Sequence, residues 1–228
     1  SFRIGGPARR VGLPARREKL VLLLDYALAC GARPLIIGNG TNLLVADQGL
    51  DRLVIDTSSA LNRTGPGEQP STVMAEAGAT LARVADFACR QGLTGLEFAH
   101  GIPGTVGGAV CMNAGAYGYR HSLLTDQPEA VVLYAVFRLA PGEPEAIRET
   151  MRQLMERRRA SQPLELPSAG STFKRPEGHY AGTLIEQCGL KGLTVGGAQV
   201  SEKHAGFVVN RGGATFADVT ELICQIQH

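Results

Sequence analysis

The segment AGSTFKRP (169–176) sets a serine hydroxyl beside two cations, Lys174 and Arg175. Its pattern is not G-x-S-x-G, and no Asp–His pair stands out to make Ser171 a nucleophile. A hydroxyl held next to cations is instead suited to handing a proton to a developing carbanion. A loop serine that satisfies a backbone group is the blander reading, and it stays open. Arg120, in YRHS (119–122), has the planar fork that grips a carboxylate bidentately, although an ordinary surface arginine reads the same way. His100, His121, His179, His204 and His228 show no i, i+4 pairing, so no metal site is expected.

Two glycine-rich stretches could cradle a ligand. GIPGTVGGAVCMNAGAYG (101–118) holds six glycines and no charge, a composition too costly for an ordinary helix. Its apolar anchors, Ile102, Val106, Val110, Met112 and Tyr117, set it apart from a flexible linker. Such a stretch is expected to press its backbone against something, with N–H groups turned toward it. GNGTNLLVADQG (38–49) follows a short apolar run and offers an anion nest, with Thr41 and Asn42 adding side-chain donors. It is neither a Rossmann fingerprint nor a P-loop, and a tight strand–loop turn would look the same. Two such loops can grip two ends of one dinucleotide.

The elements around these motifs follow from periodicity. Leu20, Leu23, Leu24, Ala27 and Leu28 mark a helix stopped by Gly31, and PLIIG and RLVID (52–56) read as strands. NRTGPGEQPST (62–72) is a domain boundary or an exposed hairpin tip. VMAEAG reads as a strand, and Thr80 caps a helix that turns Leu81, Val84, Ala85 and Ala88 to one side. VVLYAVFRL (131–139) is the clearest strand. Pro144 opens a helix faced by Ile147, Met151, Leu154 and Met155, and Arg157 to Arg159 form its solvated last turn. QPLELPSAG (162–170) is a second boundary, Tyr180 to Cys188 a short helix and GFVVN (206–210) a strand. Thr215 and Asp218 stand in capping-box spacing at the start of the last helix. Without a strict βαβ rhythm the class is α+β rather than a doubly wound sheet.

Composition narrows the function classes. A net charge of +2 spread over 228 residues implies neither nucleic acid nor an anionic membrane as partner. Five scattered cysteines (Cys30, Cys89, Cys111, Cys188, Cys224) contain no C-x-x-C pair and read as small buried hydrophobes, which suits a reducing cytoplasm. The longest apolar run is broken by Asp25 and too short to span a bilayer, and SFRIGGPARR lacks a signal-peptide core. Ser1 in place of Met leads us to expect a start further upstream.

Taken in order, GNGTNLLVADQG, GLEFAHGIPGTVGGAVCMNAGAYG, YRHS, AGSTFKRP and LKGLTVGGAQVSEKHAGFVVN resemble the UDP-N-acetylenolpyruvoylglucosamine reductase family over essentially the whole chain. That resemblance implies an FAD-binding region in two parts, of the vanillyl-alcohol-oxidase/PCMH type, and a C-terminal α+β substrate domain. The segments expected are 1–58 and 59–162 for FAD and 163–228 for substrate. It implies that Gly38, Asn39, Gly40, Thr41 and Asn42, with Gly101, Ile102, Pro103, Gly104, Thr105, Gly107, Gly108 and Ala109, surround FAD, and that Asn113 and Ala116 line the same cleft. In the family NADPH reduces FAD and leaves. The enolpyruvyl UDP-sugar then takes hydride at C3 and a proton at C2, in peptidoglycan precursor synthesis. Ser171 resembles the proton donor, and Arg120 the residue that stabilises the enolate through the carboxylate. Lys174, Arg175, Lys191 and His204 resemble substrate-side residues, with Arg175 at a position that varies among members.

The chain departs from the family pattern twice. Gly118 runs straight into Tyr119 where members carry a strand-rich segment, and no glutamate matches the catalytic one of their C-terminal L-x-x-E-V. A full-length gene product is expected to hold both. The chain otherwise resembles the shorter subtype, without the long aromatic insertion. Two rivals remain: another FAD-linked oxidase or dehydrogenase of the same superfamily, and a non-catalytic nucleotide-sugar-binding protein.

Overall fold

The computed structural model describes residues 1–114, 124 and 130–228. They divide into two compact units. The first comprises Ser1–Arg9, Gly40–Asp51 and Arg158–His228, and the second Arg10–Asn39 and Arg52–Arg157.

Strand β1 (Ala8–Gly12), helix α1 (Arg17–Ala29), β2 (Leu35–Ile37) and β3 (Leu50–Asp56) build a small sheet in the order β1-β3-β2. Its β2–β3 pair is parallel, with Leu35 opposite Val54 and Ile37 opposite Asp56. Leu20 of α1, Ile55 of β3 and Leu61 form its buried nucleus, with Leu23 and Leu24 packed at the margin. Each fully buried aliphatic side chain there contributes about 1.5–3 kcal/mol. Leu28, expected on the inner face, is instead 78% exposed. It follows the buried Ala27 by one residue, a turn of about 100° that carries it off the face.

In the rest of the second unit β4 (Thr64–Pro66) and β5 (Thr72–Glu76) pair antiparallel, and β5 pairs with β7 (Tyr134–Arg138). Gly67 N–H donates to Thr72 O at 2.8 Å, so the polar stretch 62–72 is a hairpin tip. Helix α2 (Leu81–Arg90) lies between these strands in sequence, followed by β6 (Leu93–Thr94), a 3-10 turn at Glu97–Ala99 and α3 (Val106–Cys111). Thr80 caps α2, its side chain accepting from Arg83 N–H. The two-residue strand β8 (Ala140–Pro141) pairs with β6, and α4 (Pro144–Ser161) opens at the expected proline. Val73, Ala75, Val84, Val106, Ile147 and Met151 meet in one core, which joins the helix faces read from periodicity to the inner face of β5.

The first unit holds a four-stranded antiparallel sheet in the order β10-β11-β12-β9, from β9 (Ser168–Ser171), β10 (Thr194–Val195), β11 (Ala198–Val200) and β12 (Phe207–Asn210). Helix α5 (Ala181–Gln187) follows β9, and α6 (Phe216–Gln227) closes the chain. Val200, Val208, Val219 and Leu222 centre the core, with Phe2 buried in the same cluster. Asn210, 8% exposed, ties this unit together. Its amide donates to Phe2 O at 3.1 Å, and its Oδ1 accepts from Gly212 and Ala214 N–H. The capping box is formed, with Thr215 Oγ1 accepting from Asp218 N–H and the Asp218 carboxylate from Thr215 N–H.

The cysteines correct the sequence reading. Cys89 alone is buried, while Cys30, Cys111, Cys188 and Cys224 are exposed. Cys30 and Cys188 occupy helix C-caps and Cys111 ends α3, where side chains leave the buried face. Cys224 follows the buried Leu222 by two residues, about 200° around α6.

Candidate functional site

The two glycine-rich loops meet inside the second unit. Asn39 Nδ2 donates to Pro103 O at 3.4 Å, linking GNG to GIPG. Gly38, at the end of β2, sits so close to Thr105 that a Cβ would collide with Thr105 Oγ1 and lie 2.9 Å from its Cγ2. Glycine is what lets the loops touch. The approach to the second loop is pinned by Glu97, whose carboxylate accepts from Thr94 Oγ1 at 2.5 Å and Gly95 N–H at 2.9 Å. Partial burial pushes that carboxyl up, but the hydrogen bonds outweigh it and hold it below the ordinary glutamate value. His100 Nε2 adds a contact to Asp86 Oδ1 at 3.4 Å.

The stretch 101–118 is not, however, open backbone throughout. Val106–Cys111 forms helix α3 despite its glycines. Tertiary contacts override the propensity: Val106 N–H donates to Ala79 O and Gly107 N–H to Ala77 O, both at 2.8 Å. A Cβ on Gly107 would press on Ala77 at 3.0–3.5 Å, so this glycine serves packing. Thr105 caps the helix through Gly108 N–H. The expectation of N–H groups turned outward along the whole stretch is therefore corrected. Among the described residues the amides of Gly101 and Gly104 do lack an acceptor. Ile102 N–H is taken by Ala99 O, Ala109 N–H by Thr105 O, and Asn113 adopts a left-handed backbone with φ 47°. Free amides on the second loop, where the first touches it, fit the phosphates of a dinucleotide cofactor such as FAD. Gly40, Thr41 and Asn42 continue the first loop into the first unit, where Leu44 packs at the edge of the core. Ala116 and Arg120 lie outside the described residues.

In the first unit the serine motif stands on a β-bulge. Phe207 pairs with Ser171 and Val209 with Ser168, so β9 carries one residue more than β12 between the two pairs. Gly170 supplies the left-handed residue this requires, with φ +80°. The bulge re-aims the next side chain, Ser171. Flanking bonds lock it, with Thr172 N–H donating to Gly206 O at 2.9 Å and Val208 N–H to Thr172 Oγ1 at 3.2 Å. His204 converges on the same place. A Cβ on Gly206 would stand 3.0–3.1 Å from the His204 ring and 3.4 Å from Ser171 Oγ.

The cations are placed differently from one another. Lys174 is exposed with no ion pair among the described residues. The Arg175 guanidinium stacks over the Tyr180 ring at 3.9 Å. Lys191 is half-buried and paired with Glu186 at 2.5 Å. Arg158 corrects the reading of a solvated basic turn. It is half-buried, and burial pushes its guanidinium below the ordinary arginine value. Its Nε and the Oε1 of Gln162, one turn on, are buried without hydrogen-bond partners. The only sequence signal for this was the apolar spacing of α4, continued by one more turn. Two open depressions of the second unit contain none of the sequence-nominated residues. One is lined by Gly67, Gln69, Phe87 and Leu93, the other by Arg16, Arg17, Arg63 and Glu76.

Known proteins match both parts of this arrangement. Residues 8–133 match the FAD binding domain family, and residues 162–228 the C-terminal domain of UDP-N-acetylenolpyruvoylglucosamine reductase. The UDP-N-acetylenolpyruvoylglucosamine reductase of Caldanaerobacter subterraneus subsp. tengcongensis is 46% identical over 257 residues, covering 100% of this chain and 84% of that protein. That alignment is longer than the 228 residues of the chain, so the relative carries residues inside the matched stretch with no counterpart here. The enzyme of the same name from Latilactobacillus sakei is 45% identical, covering 98% and 82%. The crystal structure of UDP-N-acetylenolpyruvylglucosamine reductase from Thermus caldophilus superposes with a TM-score of 0.81 at 34% identity, covering 95% of this chain and 87% of that one.

Proposed function

The chain belongs to the UDP-N-acetylenolpyruvoylglucosamine reductase family, and from that premise we propose how its own residues divide the work of the reaction. It is an FAD-dependent oxidoreductase that makes UDP-N-acetylmuramate from the enolpyruvyl UDP-sugar in peptidoglycan precursor synthesis, with NADPH as reductant. The observation that carries the assignment of residues is the bulge at Gly170, which turns Ser171 Oγ toward the space shared with His204.

FAD, when bound and reduced by NADPH, supplies the hydride that C3 of the enolpyruvyl group receives. Gly38, Asn39, Gly101 and Gly104 would hold its phosphates, with Gly40, Thr41 and Asn42 completing the first loop and Ile102, Pro103, Thr105, Gly107, Gly108, Ala109, Asn113 and Ala116 the second. Ser171 Oγ–H donates the proton that C2 takes up as the enolate collapses. Arg120 neutralises charge on the adjoining carboxylate, as a positioned cation does where negative charge develops. Lys174 and Arg175 face the diphosphate, and Lys191 reaches it by sharing its ammonium with Glu186. The chain divides by role into 1–58 and 59–162 for FAD and 163–228 for substrate. A cytoplasmic location belongs to the same proposal. None of the five cysteines is in a disulfide, and no helix among the described residues is long and apolar enough to cross a membrane.

Half-reactions test the assignment. Purified protein is expected to be yellow, to bleach with NADPH, and to recover its colour with the enolpyruvyl UDP-sugar. Ser171→Ala should bleach normally and fail to form product. Equal loss of both half-reactions would refute the proton-donor role, and a colourless protein that cannot be reconstituted with FAD would overturn the function.

A further inference from the structure

The first glycine-rich loop ends in an acid, Asp47, that the function assigned above leaves without a task. From Gly40 onward this loop belongs to the first unit. It has no helix or strand of its own between Gly40 and Gly49, so remote contacts must hold it. Gly6 N–H donates to Ala46 O and Leu50 N–H to Pro7 O, both at 3.0 Å, while Gly49 N–H closes the turn onto Ala46 O at 2.9 Å. A Cβ on Gly5 would stand 2.5 Å from Val45 O, and one on Gly6 2.6 Å from Gly49 N. The two glycines thus let the N-terminal segment lie directly against the turn. Leu44 packs against the cluster that contains Val219 and Leu222 of α6.

Asp47 adds a bond to the helix itself. Its Oδ1 accepts from Phe216 N–H at 2.9 Å, across 169 residues of sequence. Phe216 is the first residue of α6, and the opening amides of a helix find no acceptor within it. Thr215 Oγ1 already takes the Asp218 amide, and the Asp218 carboxylate takes those of Thr215 and Gly197. A carboxylate at that end also meets the positive pole of the helix. The helix gains little from one more cap, because its capping box is complete and Val219 and Leu222 are fully buried. The loop gains more. Asp47 is exposed and its turn has no regular structure, so the bond restrains the loop rather than the helix.

We propose that Asp47 is a positioning residue for the cofactor, using the N-terminus of α6 as a fixed post that holds Gly40, Thr41 and Asn42 in place for FAD. This rests on the function assigned above and adds a residue to it. With the bond lost, FAD must order the loop as it binds, and its affinity falls. The coupling runs both ways, so bound FAD protects the Phe216 amide through the same loop.

The bond can be removed from either side. Asp47→Ala removes the acceptor, and Asp47→Asn keeps an oxygen in the same place. Phe216→Pro removes the donor at the first helical position, where proline is favoured. Thr215, with φ −103° and ψ 166°, already has the extended backbone that a following proline requires. Phe216→Ala loses the same ring and keeps the amide, so comparing proline with alanine isolates the bond. Flavin fluorescence titration of the FAD-stripped protein should show Asp47→Ala binding FAD about 5- to 30-fold more weakly than the unmodified protein. Asp47→Asn should stay within about threefold, since asparagine and aspartate cap helices about equally well. Phe216→Pro should fall about 5- to 30-fold below Phe216→Ala, and adding Asp47→Ala to it should change affinity by no more than about twofold. Amide exchange followed by NMR should find that FAD slows the Phe216 amide in the unmodified protein and not in Asp47→Ala. If Asp47→Ala lowers the melting temperature of the FAD-free protein but leaves FAD affinity unchanged, the cap serves α6 alone and the proposal is overturned. Additive losses in the double variant, Asp47→Asn as weak as Asp47→Ala, or a Phe216 amide indifferent to FAD would overturn it too. Unmodified protein that cannot be reconstituted with FAD would overturn the functional assignment and this proposal with it.

Discussion

Gly38→Ala tests the contact that brings the two loops together. The new methyl group would enter the volume of Thr105 Oγ1, with Cγ2 at 2.9 Å and Cβ at 3.0 Å. Thr105 cannot yield cheaply: it is 2% exposed, and its hydroxyl caps α3 through Gly108 N–H. Forcing a methyl group into a packed site costs about 1–3 kcal/mol, and displacing an N-cap hydroxyl about 1 kcal/mol more. A total of about 2–4 kcal/mol corresponds to a fall in melting temperature of roughly 4–16 °C for the second unit. Differential scanning calorimetry of the FAD-free protein reads this without interference from cofactor binding. A double-mutant cycle isolates the cause. Thr105→Ala removes Oγ1 and Cγ2 but not Cβ, so Gly38→Ala in that background should lose at least about 1 kcal/mol of its penalty. Additivity within about 0.5 kcal/mol would refute the steric argument and leave the glycine unexplained.

Three further outcomes follow from the geometry. A thiol reagent added to native protein should label Cys30, Cys188 and Cys224 promptly and Cys89 only after denaturation; rapid labelling of Cys89 would contradict its burial. Asn210→Ala leaves the amides of Gly212 and the buried Ala214 without their acceptor and frees Phe2 O, a loss of about 2–4 kcal/mol that denaturant titration of the first unit should register. Limited proteolysis should then cut near Phe2, and unchanged stability would show that water replaces the amide. Asp218 is held below the ordinary aspartate value by donors on Thr215 and Gly197. A depressed carboxyl stabilises the fold above its unfolded value and loses that contribution as pH falls through its folded one. Asp218→Asn should therefore lower the melting temperature at pH 7, with the gap to the unmodified protein closing below about pH 4. A gap constant with pH would sever the cap from its charge.

Local pattern was enough wherever a short-range rule governs. The capping box at Thr215 and Asp218, the inner face of α2, the proline start of α4 and the hairpin tip at 62–72 all follow from spacing and turn chemistry. Glycine-rich loops and the G-S-x-F-K serine likewise announced themselves by composition and order. The two-residue strands β6, β8 and β10 escaped because their own pattern is too short to show a period, and β6 and β8 also pair with remote partners. The exposed cysteines and Leu28 escaped for a related reason. An apolar neighbourhood in sequence does not say on which side of a helix a residue falls.

The residue types of the site, and with them the family and the reaction, were determined by the sequence alone. Tertiary structure decided what those types do. Long-range backbone bonds from Ala77 and Ala79 turned half of a supposed phosphate cradle into helix α3. One extra residue in β9, accommodated only by a left-handed Gly170, aimed Ser171. The Gly206 amide donates to His204 Nδ1 and so orients that ring. Hydrogen bonds and close contacts between distant residues depend on three-dimensional register, which no local pattern encodes.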